Sequence, residues 1–175
     1  MKKKIILIGI IAILLLIPFT GCSVVDRLNN TKYTSPDGTF SITVETLVKW
    51  KEYREVDNRI DLMEDRKDNA ITIDRISKED ADYASYANII GYAEHYLENA
   101  GVLDFIVTDG ALEIANDLFI ETKSYEILMH HDGVDYYGYI VYAATEEDVF
   151  VIFVSGSNEN VVENYKEVAN SLELN

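Results

Sequence analysis

Apolar and polar side chains alternate from Phe40 onward: Phe40, Ile42 and Val44 against Ser41, Thr43 and Glu45. A period of two predicts a strand with one buried face. Ser35-Pro36-Asp37-Gly38 stands just before it, with a proline that presets φ and a glycine that accepts a positive one, so a turn precedes the strand. Ile60 and Leu62 predict a second strand and residues 70–76 a third, with residues 65–69 as the hairpin between them. Short apolar stretches follow at residues 105–107 and 112–114, then a turn at Asn116-Asp117. Residues 119–129 predict a long strand, Asp132-Gly133 a hairpin turn, and residues 134–144 the return strand. Residues 149–154 are apolar on both faces, which predicts a strand in mid-sheet covered from both sides.

Two stretches change period. Tyr86, Ile89, Ile90, Ala93, Tyr96 and Leu97 fall on one face of an α-helix, with Asp80 and Asp82 at its front and Gly101 as its stop. Gly91 inside it predicts a close approach to the sheet. Ser157 can cap a last helix whose apolar face is Val161, Val162, Tyr165, Val168, Ala169 and Leu172. Strands joined by tight turns pair antiparallel, and two helices can cover the sheet. The expected class is α+β: a single layered domain, with a central antiparallel sheet flanked by helices.

The N-terminal residues follow a different logic. Lys2-Lys3-Lys4 precedes an apolar run over residues 5–19 that Pro18 interrupts, and Phe19-Thr20-Gly21-Cys22 follows. The run is shorter than the ~20 residues a bilayer span needs. It resembles a bacterial lipoprotein signal peptide with a lipobox, in which small residues precede a cysteine that receives a diacylglyceryl group and becomes the new N-terminus. Thr20 and Gly21 match; Phe19 stands where leucine is commonest. The resemblance implies lipidation of Cys22 and a lipid-anchored domain on the extracytoplasmic face of the cell membrane. Two acyl chains, palmitate for example, suffice for lasting attachment. The implied organisation is a signal peptide over residues 1–21, the lipidated Cys22 and tether over residues 22–32, and a globular domain over residues 33–175.

Charge sharpens this. The 175 residues carry a formal charge of −16. Without residues 1–21, which hold three lysines and no acid, the chain has 12 basic and 31 acidic residues and a charge of −19. Such a surface repels phosphate backbones, so no nucleic-acid partner is expected. Cys22 is the single cysteine, which excludes an internal disulfide and a cysteine-based zinc site.

Tyr33, Ser35-Pro36-Asp37-Gly38, Phe40-Ser41-Ile42, Trp50, Tyr86, Tyr125-Glu126-Ile127 before Asp132-Gly133, and the last helix after residues 149–155 together resemble the PsbP-like family. That family is named for an extrinsic subunit of photosystem II, and many bacterial lipoproteins carry related domains. The resemblance covers residues 33–174. The family usually has a proline before the tryptophan, where this chain has Glu45-Thr46-Leu47-Val48-Lys49. The resemblance implies an α/β/α sandwich and a generally non-catalytic role in binding or assembling protein complexes. No family metal ligand matches a position here.

Residues that could carry chemistry have plainer readings. His130 and His131 are neighbours on a strand end and face opposite ways, so they cannot easily share a metal. His95 sits three residues before Glu98 and reads as a solvated helix pair. Ser155-Gly156-Ser157 lies between a strand and a helix but lacks the full nucleophile-elbow pattern. The acidic clusters Glu79-Asp80-Asp82, Asp61 with Glu64, Asp65 and Asp68, Glu146-Glu147-Asp148, and Glu159 with Glu163 follow no calcium-loop pattern. Of twelve tyrosines, Tyr136, Tyr137, Tyr139 and Tyr142 share one strand. Tyr137 and Tyr139 face one way and Tyr136 and Tyr142 the other, which leaves core and binding platform both open.

The expectation is therefore no enzyme, with no catalytic, cofactor or metal residue, and an interaction or assembly domain bound to an envelope protein. The alternative is a small ligand- or cation-binding envelope protein or hydrolase, built where His130 or His131 meets carboxylates from another strand.

Overall fold

A computed structural model describes residues 29–46, 49–64, 69–79, 97–98, 104–158 and 166–175. The described residues form two antiparallel sheets. The smaller has β1 (Asn29–Thr34), β2 (Phe40–Thr46) and β10 (Glu173–Leu174), with β2 in the middle. The larger has seven strands in the order β3 (Trp50–Tyr53), β4 (Arg59–Glu64), β5 (Ala70–Ser77), β9 (Asp148–Gly156), β8 (Val134–Ala144), β7 (Glu121–His131) and β6 (Asp104–Asp109).

The local chemistry of the turns accounts for much of this. Between β1 and β2, the Gly38 N–H donates to the Ser35 carbonyl at 2.8 Å, with Gly38 at φ 77°. Asp37 Oδ1 accepts from Ser35 Oγ at 2.5 Å and from the Thr39 N–H at 3.0 Å. Partial burial pushes the Asp37 carboxyl up, but these bonds and the field of Arg75 outweigh it and hold it below the usual carboxylate range. Between β7 and β8, Asp132 and Gly133 both take positive φ, 52° and 78°, as a two-residue hairpin of matching twist demands.

β9 is buried along almost its whole length, as its two apolar faces require. One face joins Phe150, Ile152 and Val154 to Ile60, Leu62, Ile71 and Ile73, and to Phe40, Ile42 and Val44 of β2. The two sheets therefore stack. Phe40 and Phe150 meet edge to face across the stack with centroids 5.3 Å apart. The other face gathers Val149, Val151 and Phe153 with Ile127, Met129, Ile140, Tyr142 and Leu97.

The expected α+β class is corrected by these findings. The described residues are dominated by strands, and they build two packed antiparallel sheets rather than one central sheet in an α/β/α sandwich. The first expected helix, over residues 86–97, lies outside the described residues except for the buried Leu97, which is helical together with Glu98. Of the last, residues 161–165 lie outside, and Lys166–Ser171 form a 3-10 helix rather than an α-helix. Its last carbonyls are drawn elsewhere. Asn116 Nδ2 donates to the carbonyls of Ala169 at 3.2 Å and Leu172 at 2.9 Å, and Ser171 Oγ accepts the Thr43 N–H at 3.0 Å. The chain then continues as β10 against β2.

Three further differences concern strands. Residues 29–32, expected in the tether, pair with β2 as part of β1. Trp50 opens β3, a strand that comes before the one Ile60 and Leu62 predict. Residues 112–114 form no strand; Leu112 and Ile114 instead lean on the core that the two sheets share. No helix among the described residues is long and apolar enough to cross a membrane.

Candidate functional site

The far end of the large sheet, β6–β7–β8, extends past the cover of the small one. Register fixes what it presents. Ile106, Leu128 and Tyr137 lie side by side, and so do Thr108, Glu126 and Tyr139, all on one face. These six line a concavity of about 260 Å³. Ile106 is 60% exposed and Leu128 40%, while Tyr137 and Tyr139 are half-buried against the shared core. Tyr142 is buried beneath the opposite face, and Tyr136 packs against that same cluster. The tyrosine strand is thus core on one side and the partly open floor of a groove on the other.

Gly110 makes this open face possible. Leaving β6, the chain folds back over β7, and the Gly110 N–H donates to the Ser124 carbonyl at 2.9 Å. A Cβ on Gly110 would lie 2.9 Å from the Ser124 carbonyl carbon, a contact that side chains do not make. The segment then carries Leu112 and Ile114 onto the core and leaves Ile106 bare.

His130 continues the same face, between Asp104 of β6 and Asp135 of β8. Its Nδ1 lies 2.9 Å from Asp135 Oδ1. The hydrogen bond to Asp135 raises the His130 pKa above the usual imidazole value; slight desolvation opposes it, and the charges of Asp135 and Asp104 add to the rise. The imidazole is 52% exposed, so the row is a solvated ladder. His131 points to the other face, with Nε2 3.7 Å from Asp132 Oδ2. The structure does not bring the two histidines together.

Of the remaining candidates, Glu79 is exposed, and its N–H donates to Ser77 Oγ at 3.2 Å. Asp61 binds Arg59 Nε at 2.8 Å and Thr72 Oγ1 at 2.9 Å. Glu64 is buried and receives a hydrogen bond from Asn69. Asp148 is buried against Arg75 Nη2 at 2.6 Å, while Glu146 and Glu147 are exposed. Among the described residues, no hydrogen bond joins Ser155 or Ser157 to a histidine, and no three His, Cys, Asp or Glu side chains converge as a metal would need. Cys22, Asp65, Asp68, Asp80, Asp82, His95, Glu159 and Glu163 lie outside the described residues.

The exposed row on β6 was not singled out by sequence reasoning. A short D-F-I-V-T-D strand gives no sign of whether it will sit at an edge, since that depends on which strands pair. The aspartates that bracket Phe105-Ile106-Val107-Thr108 are the one local clue.

No protein-family model matches the chain, and no curated protein matches it in sequence. Its fold is similar to that of a Bacteroides thetaiotaomicron protein, with a TM-score of 0.53 and 13% identity over 83% of this chain. This chain spans about half of that protein, 48% of its length. It is also similar to LpqN of Mycobacterium tuberculosis, described as involved in cell envelope biogenesis, with a TM-score of 0.47 and 13% identity over 86% of this chain and 96% of LpqN. At such identities the first likeness is one of fold.

Proposed function

We propose that this chain is a lipid-anchored, extracytoplasmic lipoprotein whose β domain binds a protein of the cell envelope without catalysing a reaction. The anchor rests on Phe19-Thr20-Gly21-Cys22 after the apolar run, with Cys22 as the acylated residue. The helix-flanked sandwich implied by the PsbP-like resemblance is not what the described residues form, so the proposal keeps the lipoprotein and binding readings alone. The binding role is carried by the Ile106–Leu128 patch, an apolar concavity on an acidic chain. A contiguous apolar area of this kind marks an interaction surface more often than a scattered exposed side chain does. The row of His130 with Asp104 and Asp135 lies on the rim and supplies orientation rather than chemistry.

The test joins anchor and surface. Labelled palmitate fed to cells enters the wild-type chain and is absent from Cys22→Ala. Reversible crosslinking in intact cells then recovers one stoichiometric envelope protein with the wild type. Recovery falls with Cys22→Ala and with Ile106→Asp/Leu128→Asp, while the melting temperature of the double variant stays near that of the wild type. Equal recovery with that double variant overturns the assignment of the patch, and palmitate in Cys22→Ala overturns the anchor.

A further inference from the structure

The large sheet ends at β6, and the outer edge of β6 has no hydrogen-bonding partner among the described residues. Alternate residues of an edge strand aim their N–H and C=O groups outward, ready to pair with another chain. The opposite edge, β3, is only four residues long and carries Lys51 and Glu52 within it. β6 is longer, and its middle, Phe105-Ile106-Val107, consists of aromatic and β-branched residues that suit a strand. Phe105 and Val107 already pack on the core of one face, while Ile106 leads into the 260 Å³ concavity on the other.

Charge decides what can pair there. Asp104 and Asp109 close the two ends of β6, and Glu126 and Asp135 stand on the neighbouring strands. A second copy of β6 laid antiparallel sets Asp104 against Asp109 at both ends; laid parallel and in register, it sets each aspartate on itself. Like charges facing across strands repel, so pairing of two copies is disfavoured in either direction. A strand with a lysine or arginine at each end meets an aspartate at each end instead. The strand period also assigns its faces. The partner residue opposite Asp104 and the one opposite Ile106 lie on the concave side, and the one opposite Asp109 lies on the other.

We propose that β6 receives an extended segment of a partner protein, which adds to the sheet as an eighth strand with basic residues facing Asp104 and Asp109 and an apolar side chain over Ile106 and Leu128. This deepens the proposed binding role and rests on it. Main-chain hydrogen bonds hold the segment, the concavity selects one apolar side chain, and the terminal charges fix register and direction. The ordering of a flexible segment opposes binding, so the complex is expected to be reversible and salt-sensitive.

The probe is a fluorescein-labelled peptide with core KTVIVK, read by anisotropy against the full-length protein in detergent micelles at low salt. Saturable binding is expected, weakening as salt rises. D104K/D109K should weaken it by about tenfold or more, because two attractions become two repulsions, and should instead favour a peptide with core ETVIVE. Both aspartates are exposed, so the melting temperature of the variant reports whether its fold is kept. Absence of saturable binding to the wild type overturns the proposal. So do equal binding of both peptides by wild type and variant, and a concentration-dependent dimer that D104K/D109K abolishes. Should crosslinking recover an envelope partner equally with wild type and D104K/D109K, the binding role stands and the β6 assignment falls.

Discussion

At the scale of single residues, His130 shows how an exposed side chain can be tuned by the residues beside it on neighbouring strands. Its imidazolium is favoured first by the hydrogen bond to Asp135, then by the charges of Asp135 and Asp104. The folded pKa lies above the unfolded one, about 6.5. The stability it contributes is therefore fully present below that unfolded value and is lost as pH rises through the folded pKa. NMR titration of the His130 ring is expected to give a midpoint above that of a free imidazole. Asp135→Asn should lower it more than Asp104→Asn does. A midpoint unchanged in Asp135→Asn would show that the 2.9 Å contact does not form in solution. The same residue marks how much of the site the sequence disclosed. That His130 and His131 diverge follows from strand geometry alone, and so does the split of Tyr137 and Tyr139 from Tyr136 and Tyr142. That Asp104 stands beside His130 could not be read, because it depends on β6 pairing with β7.

At the scale of elements, turn chemistry was the most legible signal. Ser35-Pro36-Asp37-Gly38 and Asp132-Gly133 both form the turns their residues demand, since each needs a positive φ at its glycine and gains from a short polar neighbour. The strands over residues 134–144 and around residues 149–154 follow for similar reasons. What was not legible depends on distant contacts. Residues 166–171 have the apolar spacing of a helix, but Asn116 and Ser171 bind the backbone there to other parts of the chain. Residues 29–32 have a polar sequence without periodicity, and they become strand through pairing with β2. Gly110 is an element-scale device of the same kind. Gly110→Ala is expected to destabilise the fold by roughly 1–3 kcal/mol, since the added methyl meets the Ser124 carbonyl group at 2.9–3.0 Å as well as its Oγ at 2.8 Å, and the backbone cannot yield. Hydrogen exchange should show the loss first at β6 and at residues 111–114. Uniform loss across both sheets would mean that Gly110 supports the whole fold and not this corner.

At the scale of the whole molecule, the two sheets hold each other through one shared core. Phe150 is its pivot, touching Phe40 of the small sheet and lying 6.2 Å from Phe119 between ring centroids. Phe150→Ala is expected to cost about 3–5 kcal/mol, seen as a fall in the denaturant midpoint. Ile106→Ala, at an exposed position, should stay within about 0.5 kcal/mol. Comparable losses from the two variants would contradict the burial assigned to them.

The position of β9 also sets an order of events. The middle strand of the large sheet is the ninth in sequence, and β10, which completes the small sheet, is the last. β5 must wait for β9 across a long loop, as the pairing of Ser77 with Asp148 shows. Closing that loop is an entropic barrier that local hairpins do not face, and it slows folding. While a chain emerges from a ribosome N-terminus first, β1–β2 and β3–β4–β5 can pair as local hairpins, but the apolar faces of β2 and β5 have no β9 to cover them. β8 and β9 can form a hairpin nucleus only near the end, and β5 and β2 then condense onto it. Late closure leaves those apolar faces open until the last strands are made, so a fragment that stops short of β9 would expose the surface that the whole chain buries.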